Sequence, residues 1–390
     1  MSVSASISTL SEFLLQAHTQ FQVFDMGRGI RKVSNNTFFE WENQQAPCAF
    51  PRQNQAWFCI VFWNKSLSAQ HYMWFIKLPL DESGLMIGAS LQQFLDIITQ
   101  ALGKHLEHTG NSQAQLPENP YVFVPSQQQL ADCNAHIRKE LKIERVANEK
   151  AMAYLQAPNA IHDSKAWEAL SLQDVADFVI NPVLPAMLPA MLPAMQQDTQ
   201  QYTQQYTQQN MRQDLHQDTL ETLIANNLNA YPTPVLTCLL GSLESVEAGP
   251  TLTQALIRLH SASTDANLAA LCLRAMSVKP QPECLRYVEQ LIGLHNSASD
   301  AISTTQSNSS PSLETCVVIA GRYWQMLNNE NTLGHFMHKL ALIDDSHQLF
   351  KGLYADLVKI PETRNSMLRF MRQPQRTKEV SLAISALFAP

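Results

Sequence analysis

The stretch Ala56–Leu80, AWFCIVFWNKSLSAQHYMWFIKLPL, constrains the fold more than any other part of the chain. Two apolar runs flank a polar link, Lys65–Gln70. Strand side chains alternate with period two, so Trp57, Cys59, Val61 and Trp63 point one way and Phe58, Ile60 and Phe62 the other. In the second run Tyr72, Trp74, Ile76 and Leu78 share one face, and Met73 and Phe75 the other. Both faces are apolar. The pattern predicts a hairpin inside its sheet, covered by helices, and not at a wet edge. Four of the six tryptophans lie within Trp41–Trp74, which makes this the N-terminal core.

The surrounding segments fit a small antiparallel sheet with helices packed on it. Thr9 and Glu12 form a capping-box pattern for a short helix over residues 9–17, striped by Leu10, Phe13, Leu14 and Ala17. Phe21–Phe24 and Ile30–Val33 read as short strands around the turn Asp25-Met26-Gly27-Arg28-Gly29. Phe38–Trp41 and a link marked by Pro47 and Pro51 lead to the hairpin. Ser90, with Gln93 three residues on, is expected to cap a helix lined by Leu91, Phe94, Leu95, Ile98 and Leu102.

Beyond about residue 126 the pattern is helix after helix. Ser126–Leu141, Glu144–Leu155 and Ser171–Ile180 are predicted helices. Leu184–Met195 then contains LPAM three times and Gln200–Gln208 contains QYTQ twice, exact short repeats of the kind local sequence expansion leaves. From Met211 onward apolar stripes recur, among them Leu220, Leu223, Ile224 and Leu228, and later Leu349, Leu353 and Leu357. Prolines punctuate helices of roughly 12–16 residues, too narrow in their stripes to be buried alone, so neighbours must stack. In period and punctuation this half resembles HEAT-like repeats. Ser297–Ser312, rich in Ser, Thr and Asn, reads as a loop inserted across the array.

The fold class expected is mainly α with a small α+β N-terminal domain, an antiparallel sheet followed by a HEAT-like or irregular array of antiparallel helices. Four segments follow from it: an α+β domain at 1–110, a helical connector at 111–180, a low-complexity linker at 181–210 and a helical-repeat-like domain at 211–390. At 390 residues the chain exceeds one ordinary core.

Composition narrows function. A net charge of −7 gives no global field for nucleic acid or acidic membrane, and no nucleic-acid or membrane partner is expected. The cysteines at 48, 59, 133, 238, 272, 284 and 316 include no C-x-x-C pair and read as small buried hydrophobes in a reducing compartment. The first residues, MSVSASISTLSEF, lack a basic n-region and a long apolar run, so no signal peptide is expected and the cytoplasm is the expected location.

The strings Leu10-Ser11-Glu12-Phe13-Leu14, Phe24-Asp25-Met26-Gly27-Arg28 and Gln55-Ala56-Trp57 resemble a family of gammaproteobacterial proteins with no assigned function. The resemblance extends along the chain except for the LPAM/QYTQ segment and the Ser297–Ser312 loop. It implies a bacterial cytosolic protein and brings no activity, cofactor or catalytic residue.

Three local features are candidate sites. In the Asp25–Arg28 turn, a Gly-flanked Arg28 beside Asp25 suits a phosphate or carboxylate; equally, Gly27 and Gly29 supply positive φ while Asp25 pairs with Arg28. Two H-x-x-H pairs, His105/His108 and His335/His338, place imidazoles on one helical face, the second with Asp344, Asp345 or His347 as a conceivable third metal ligand. Arg364, Arg369, Arg372, Arg376 and Lys378 form a basic stretch without an acid, suited to an acidic partner. No metal or cofactor is assigned to any of them. Nucleophile, P-loop and kinase motifs are missing, which leans away from an enzyme. The reading is a non-enzymatic protein-interaction or scaffold module with a protein partner. The alternative is a ligand-binding protein or enzyme with its site near the Asp25–Arg28 turn, between sheet and helices.

Overall fold

The computed structural model describes residues 7–64, 70–107, 118–143, 148–182, 219–294, 311–374 and 376–388. In chain order the first elements are α1 (Leu10–Gln16), β1 (Gln20–Asp25), β2 (Arg31–Val33), α2 (Asn35–Glu42), β3 (Gln55–Trp63), β4 (His71–Pro79) and α3 (Gly88–Glu107). Then come α4 (Gln127–Leu141), α5 (Glu149–Gln156), α6 (Leu172–Ile180), α7 (219–227), α8 (Thr233–Leu243), α9 (Pro250–Ala262), α10 (Ala266–Ala275) and α11 (Pro282–Leu291). The last are α12 (Leu313–Arg322), α13 (Glu330–Ile343), α14 (Gln348–Leu357), α15 (Pro361–Arg372) and α16 (Lys378–Leu387). The protein is thus mainly α, with one small antiparallel sheet near its N-terminus. It divides into two compact units, residues 1–126 with 292–390, and residues 127–291.

In the first unit the sheet order is β2-β1-β3-β4, and every pairing is antiparallel. Val23 lies opposite Ile60, and Ile60 opposite Trp74, so one face is continuous across three strands. That face carries Phe21, Val23, Ala56, Phe58, Ile60, Ile76 and Leu78, in one core with Leu10 and Leu14, Phe38 and Trp41, and Leu91, Phe94, Leu95 and Ile98 of the three helices. Phe58 packs edge-on to Phe38 at 5.4 Å and stacked on Trp41 at 5.9 Å between ring centres. On the opposite face Phe24, Cys59 and Val61 are also buried.

The hairpin differs from its expected place in one respect. β3 is interior, but β4 ends the strand order. Among the described residues its outer side receives only a short segment, where Lys77 N–H donates to the Tyr121 carbonyl (2.7 Å) and Phe123 N–H to the Phe75 carbonyl (3.1 Å). Pro125 has no N–H to continue the ladder, and Tyr72 is 56 % exposed. Apolarity on both faces therefore reports side-chain cover and does not report backbone pairing.

Caps explain the helix starts. Thr9 accepts the Glu12 N–H (3.1 Å), while the Glu12 carboxylate turns to Ser8 N–H and Oγ, both at 2.9 Å, so only half of the expected capping box forms. The buried Glu42 carboxyl, at the end of α2, accepts Leu10 N–H (2.7 Å), Ser11 N–H (3.3 Å) and the Ser11 hydroxyl, satisfying orphan donors at the start of α1. Ser90 is not the cap of α3: the helix begins at Gly88, and the Ile87 carbonyl accepts from Ser90 and Leu91.

In the second unit α6 packs against α4 and α8, α10 against α8 and α9, and α9 against α11. A Ser171/Asp174 capping box starts α6, and Pro250 opens α9 where a missing N–H costs nothing. Asp132 of α4, buried, accepts from Ser242 Oγ (2.6 Å) and Gln128 Nε2 (3.0 Å), a polar tie between α4 and α8. All seven cysteines are free thiols, six of them buried. Among the described residues no helix is long and apolar enough to cross a membrane. The LPAM and QYTQ repeats, and the Ser297–Ser312 loop up to residue 310, lie outside the described residues.

Phe58→Ala should lower unfolding free energy by about 3–5 kcal/mol, because a fully buried ring leaves a cavity. Tyr72→Ala, at the exposed end of the same face where the ring stacks on Phe62 at 5.7 Å, should cost no more than about 1 kcal/mol. Urea unfolding of the two variants measures both.

Candidate functional site

The Asp25–Arg28 turn is built by close approach. A Cβ on Gly27 would lie 2.1 Å from the Phe50 carbonyl oxygen, so only glycine fits there. Gly29, at φ 122°, is the residue that supplies the left-handed backbone. The turn directs Arg28 inward, where it is 6 % exposed. Nε donates to the Pro51 carbonyl (2.7 Å), Nη1 to the Gly321 (3.0 Å) and Ala320 (3.4 Å) carbonyls, and Nη2 to Asp356 Oδ2 (2.8 Å). Ala320 and Gly321 belong to the last turn of α12, whose carbonyls lack intrahelical donors and favour a cation. Asp356 near the end of α14 also accepts the Gln53 N–H (3.3 Å). The ion-pair partner of Arg28 is thus Asp356, not Asp25.

Asp25 is fully buried. Its Oδ1 accepts the Gly27 N–H (2.9 Å), and Oδ2 has no hydrogen-bond partner among the described residues. Burial pushes its carboxyl up to about 7, against the pull of the Gly27 N–H and of the Arg31 and Arg28 charges.

The basic stretch is largely engaged. Arg364 donates to the Glu82 carbonyl (2.6 Å) and to Glu82 Oε2 (3.3 Å), and Arg369 to Glu330 Oε1 (2.7 Å). Arg376 folds back onto the carbonyls of Met371 and Gln373, capping the C-terminus of α15. Arg372 and Lys378 are exposed, and neither makes an ion pair among the described residues.

His335 and His338 meet this stretch in space. They lie on one face of α13 with Glu330, Asn331 and Gly334, and together with Gln373 they line a concavity of about 370 Å³. His338 Nδ1 is 3.1 Å from Thr377 Oγ1, which also caps α16. Asp344, one conceivable third metal ligand, instead accepts the Phe350 N–H (2.8 Å) and the Ser346 hydroxyl (2.8 Å). Among the described residues no group of three or more His, Cys, Asp or Glu side chains is placed to hold a metal ion. His108 and the side chain of His105 lie outside the described residues. The contributions of Asp356, Gln373 and Thr377 carried no signal in the sequence. The common face of Asn331, Gly334, His335 and His338 did, through helical spacing.

Arg28→Ala should destabilise the protein by about 3–5 kcal/mol, since Asp356 and the α12 carbonyls lose their buried cation. Arg28→Lys should not restore it, because an ammonium lacks the planar fork. Asp25 gives a pH signature. Its folded value of about 7 exceeds its ordinary 3.8, so the folded state keeps a proton that the unfolded chain has lost. Stability contributed by Asp25 therefore falls as pH rises from about 4 to about 7 and levels off above. Relative to wild type, Asp25→Asn should remove a decline on the order of 4 kcal/mol across that window, read by denaturant unfolding at stepped pH.

No curated protein and no solved structure matches the chain. A family model described as protein of unknown function (DUF3549) matches residues 5–209 and 208–388. These matches span nearly the whole chain, and the protein belongs to that family.

Proposed function

We propose that the chain is a non-enzymatic protein-interaction or scaffold module of the bacterial cytoplasm, of the gammaproteobacterial kind its N-terminal strings resemble, and that its helical array presents an extended surface to a protein partner. The supporting observation is the packing order of residues 127–291. There α4, α6, α8 and α10 follow one another as neighbours, with α9 joining α10 to α11. Stacking of this kind is how HEAT-like arrays bury narrow stripes while leaving long outer faces for binding. The rival reading, a ligand site at Arg28, is weakened by the engagement of its Nε, Nη1 and Nη2 inside the fold.

Affinity capture of the tagged full chain from its own cells, with cross-linking and mass spectrometry, tests the reading. One protein should be recovered in near-equal amount, with cross-links concentrated on α8–α11. Recovery of nothing above background, or cross-links confined to segments outside 127–291, would contradict it.

A further inference from the structure

The geometry points to a binding site for a small oxyanion, a carboxylate or phosphoryl group, in the concavity lined by α13 and by Gln373 at the end of α15. It is independent of the scaffold reading and rests on polar residues that line the concavity from two separate stretches of chain. From α13 come Asn331, His335 and His338, and from the end of α15 comes Gln373. The His338 ring is held at Nδ1 by Thr377, which leaves Nε2 free of any hydrogen bond among the described residues. His335 makes no side-chain hydrogen bond among the described residues and is only half-buried, so its ring is open to a ligand.

The charges around the concavity favour an anion. Its one lining acid, Glu330, is paired with Arg369 at 2.7 Å, which offsets part of its charge. Arg372 lies one turn further along the same face of α15, exposed, next to Gln373. Glu379, in the first turn of α16, is countered by His338 and Lys378. A volume of about 370 Å³ lies at the small end of ligand sites, and a lining of two histidines, an asparagine and a glutamine suits a compact anion.

Gly334 supplies the test. It lies on the lining face of α13, and a Cβ there would meet nothing within 4 Å, so a large side chain can fill the concavity without displacing the helix. Inorganic phosphate and citrate, titrated separately into the full chain, should shift the imidazole NMR resonances of His335 and His338 and give saturable binding by calorimetry. Response to phosphate alone assigns a phosphoryl ligand, and response to citrate alone a carboxylate. Gly334→Phe and the double variant His335→Ala/His338→Ala should each weaken binding at least tenfold, while Arg364→Ala, whose side chain is bonded to Glu82, should leave it unchanged. Circular dichroism verifies folding, and the histidine double variant carries the test should the filled variant not fold. Absence of saturable binding by either probe, or binding unaltered in a folded Gly334→Phe or double variant, would overturn the site.

Discussion

One buried guanidinium holds the first unit together. Arg28 reaches from a turn of the small sheet to the carbonyl end of α12 and the carboxylate of α14. A cation in this position answers two needs at once. The last carbonyls of α12 have no intrahelical donors, and the negative end of the helix dipole would be unfavourable beside apolar surface without a compensating charge. Removing such a charge from water is costly, and the cost is offset only because its donors are matched by oxygens in good geometry. The glycines of the turn follow from this. Gly27 must pass the Phe50 carbonyl with no side chain, and Gly29 must take the left-handed backbone, or the arginine does not arrive.

The two units are held by different physics. In residues 127–291 helices pack side by side over separations of up to 110 residues in the Asp132–Ser242 tie, and such polar ties add directionality to apolar packing. In the other unit the stabilising contacts join residues about three hundred positions apart, as Arg28 with Asp356 and Arg364 with Glu82 do. Contacts of that range cost more chain entropy to form and depend on more of the structure being in place. The buried, half-satisfied Asp25 beside the clamp concentrates polar strain at the same spot.

Much of the fold was legible because burial leaves periodicity. Alternation in Phe58, Ile60 and Phe62 marks a core-facing strand, Leu91, Phe94, Leu95 and Ile98 mark a helix face, and Ser171 marks a helix start. What those patterns do not encode is which surfaces meet. That β4 lies at an edge depends on Pro125 ending a short partner segment, and nothing in the apolarity of Tyr72 or Trp74 says so. The Arg28–Asp356 pair could not be read, since the buried arginine and its half-buried carboxylate are separated by 328 residues. For the same reason the His335/His338 pair and the basic stretch read as unrelated features. A side chain fold-back such as Arg376 onto its own helix end likewise turns apparent surface charge into a cap.

Hydrogen exchange by mass spectrometry on the full chain tests most directly whether the sheet and the last helices are one cooperative body. β3 and the buried turns of α13 and α14 should open with a common free energy and a common denaturant dependence, set apart from those of α8–α11. Exchange of α13 and α14 at markedly lower free energy, while β3 stays protected, would show that the arginine clamp does not unite them.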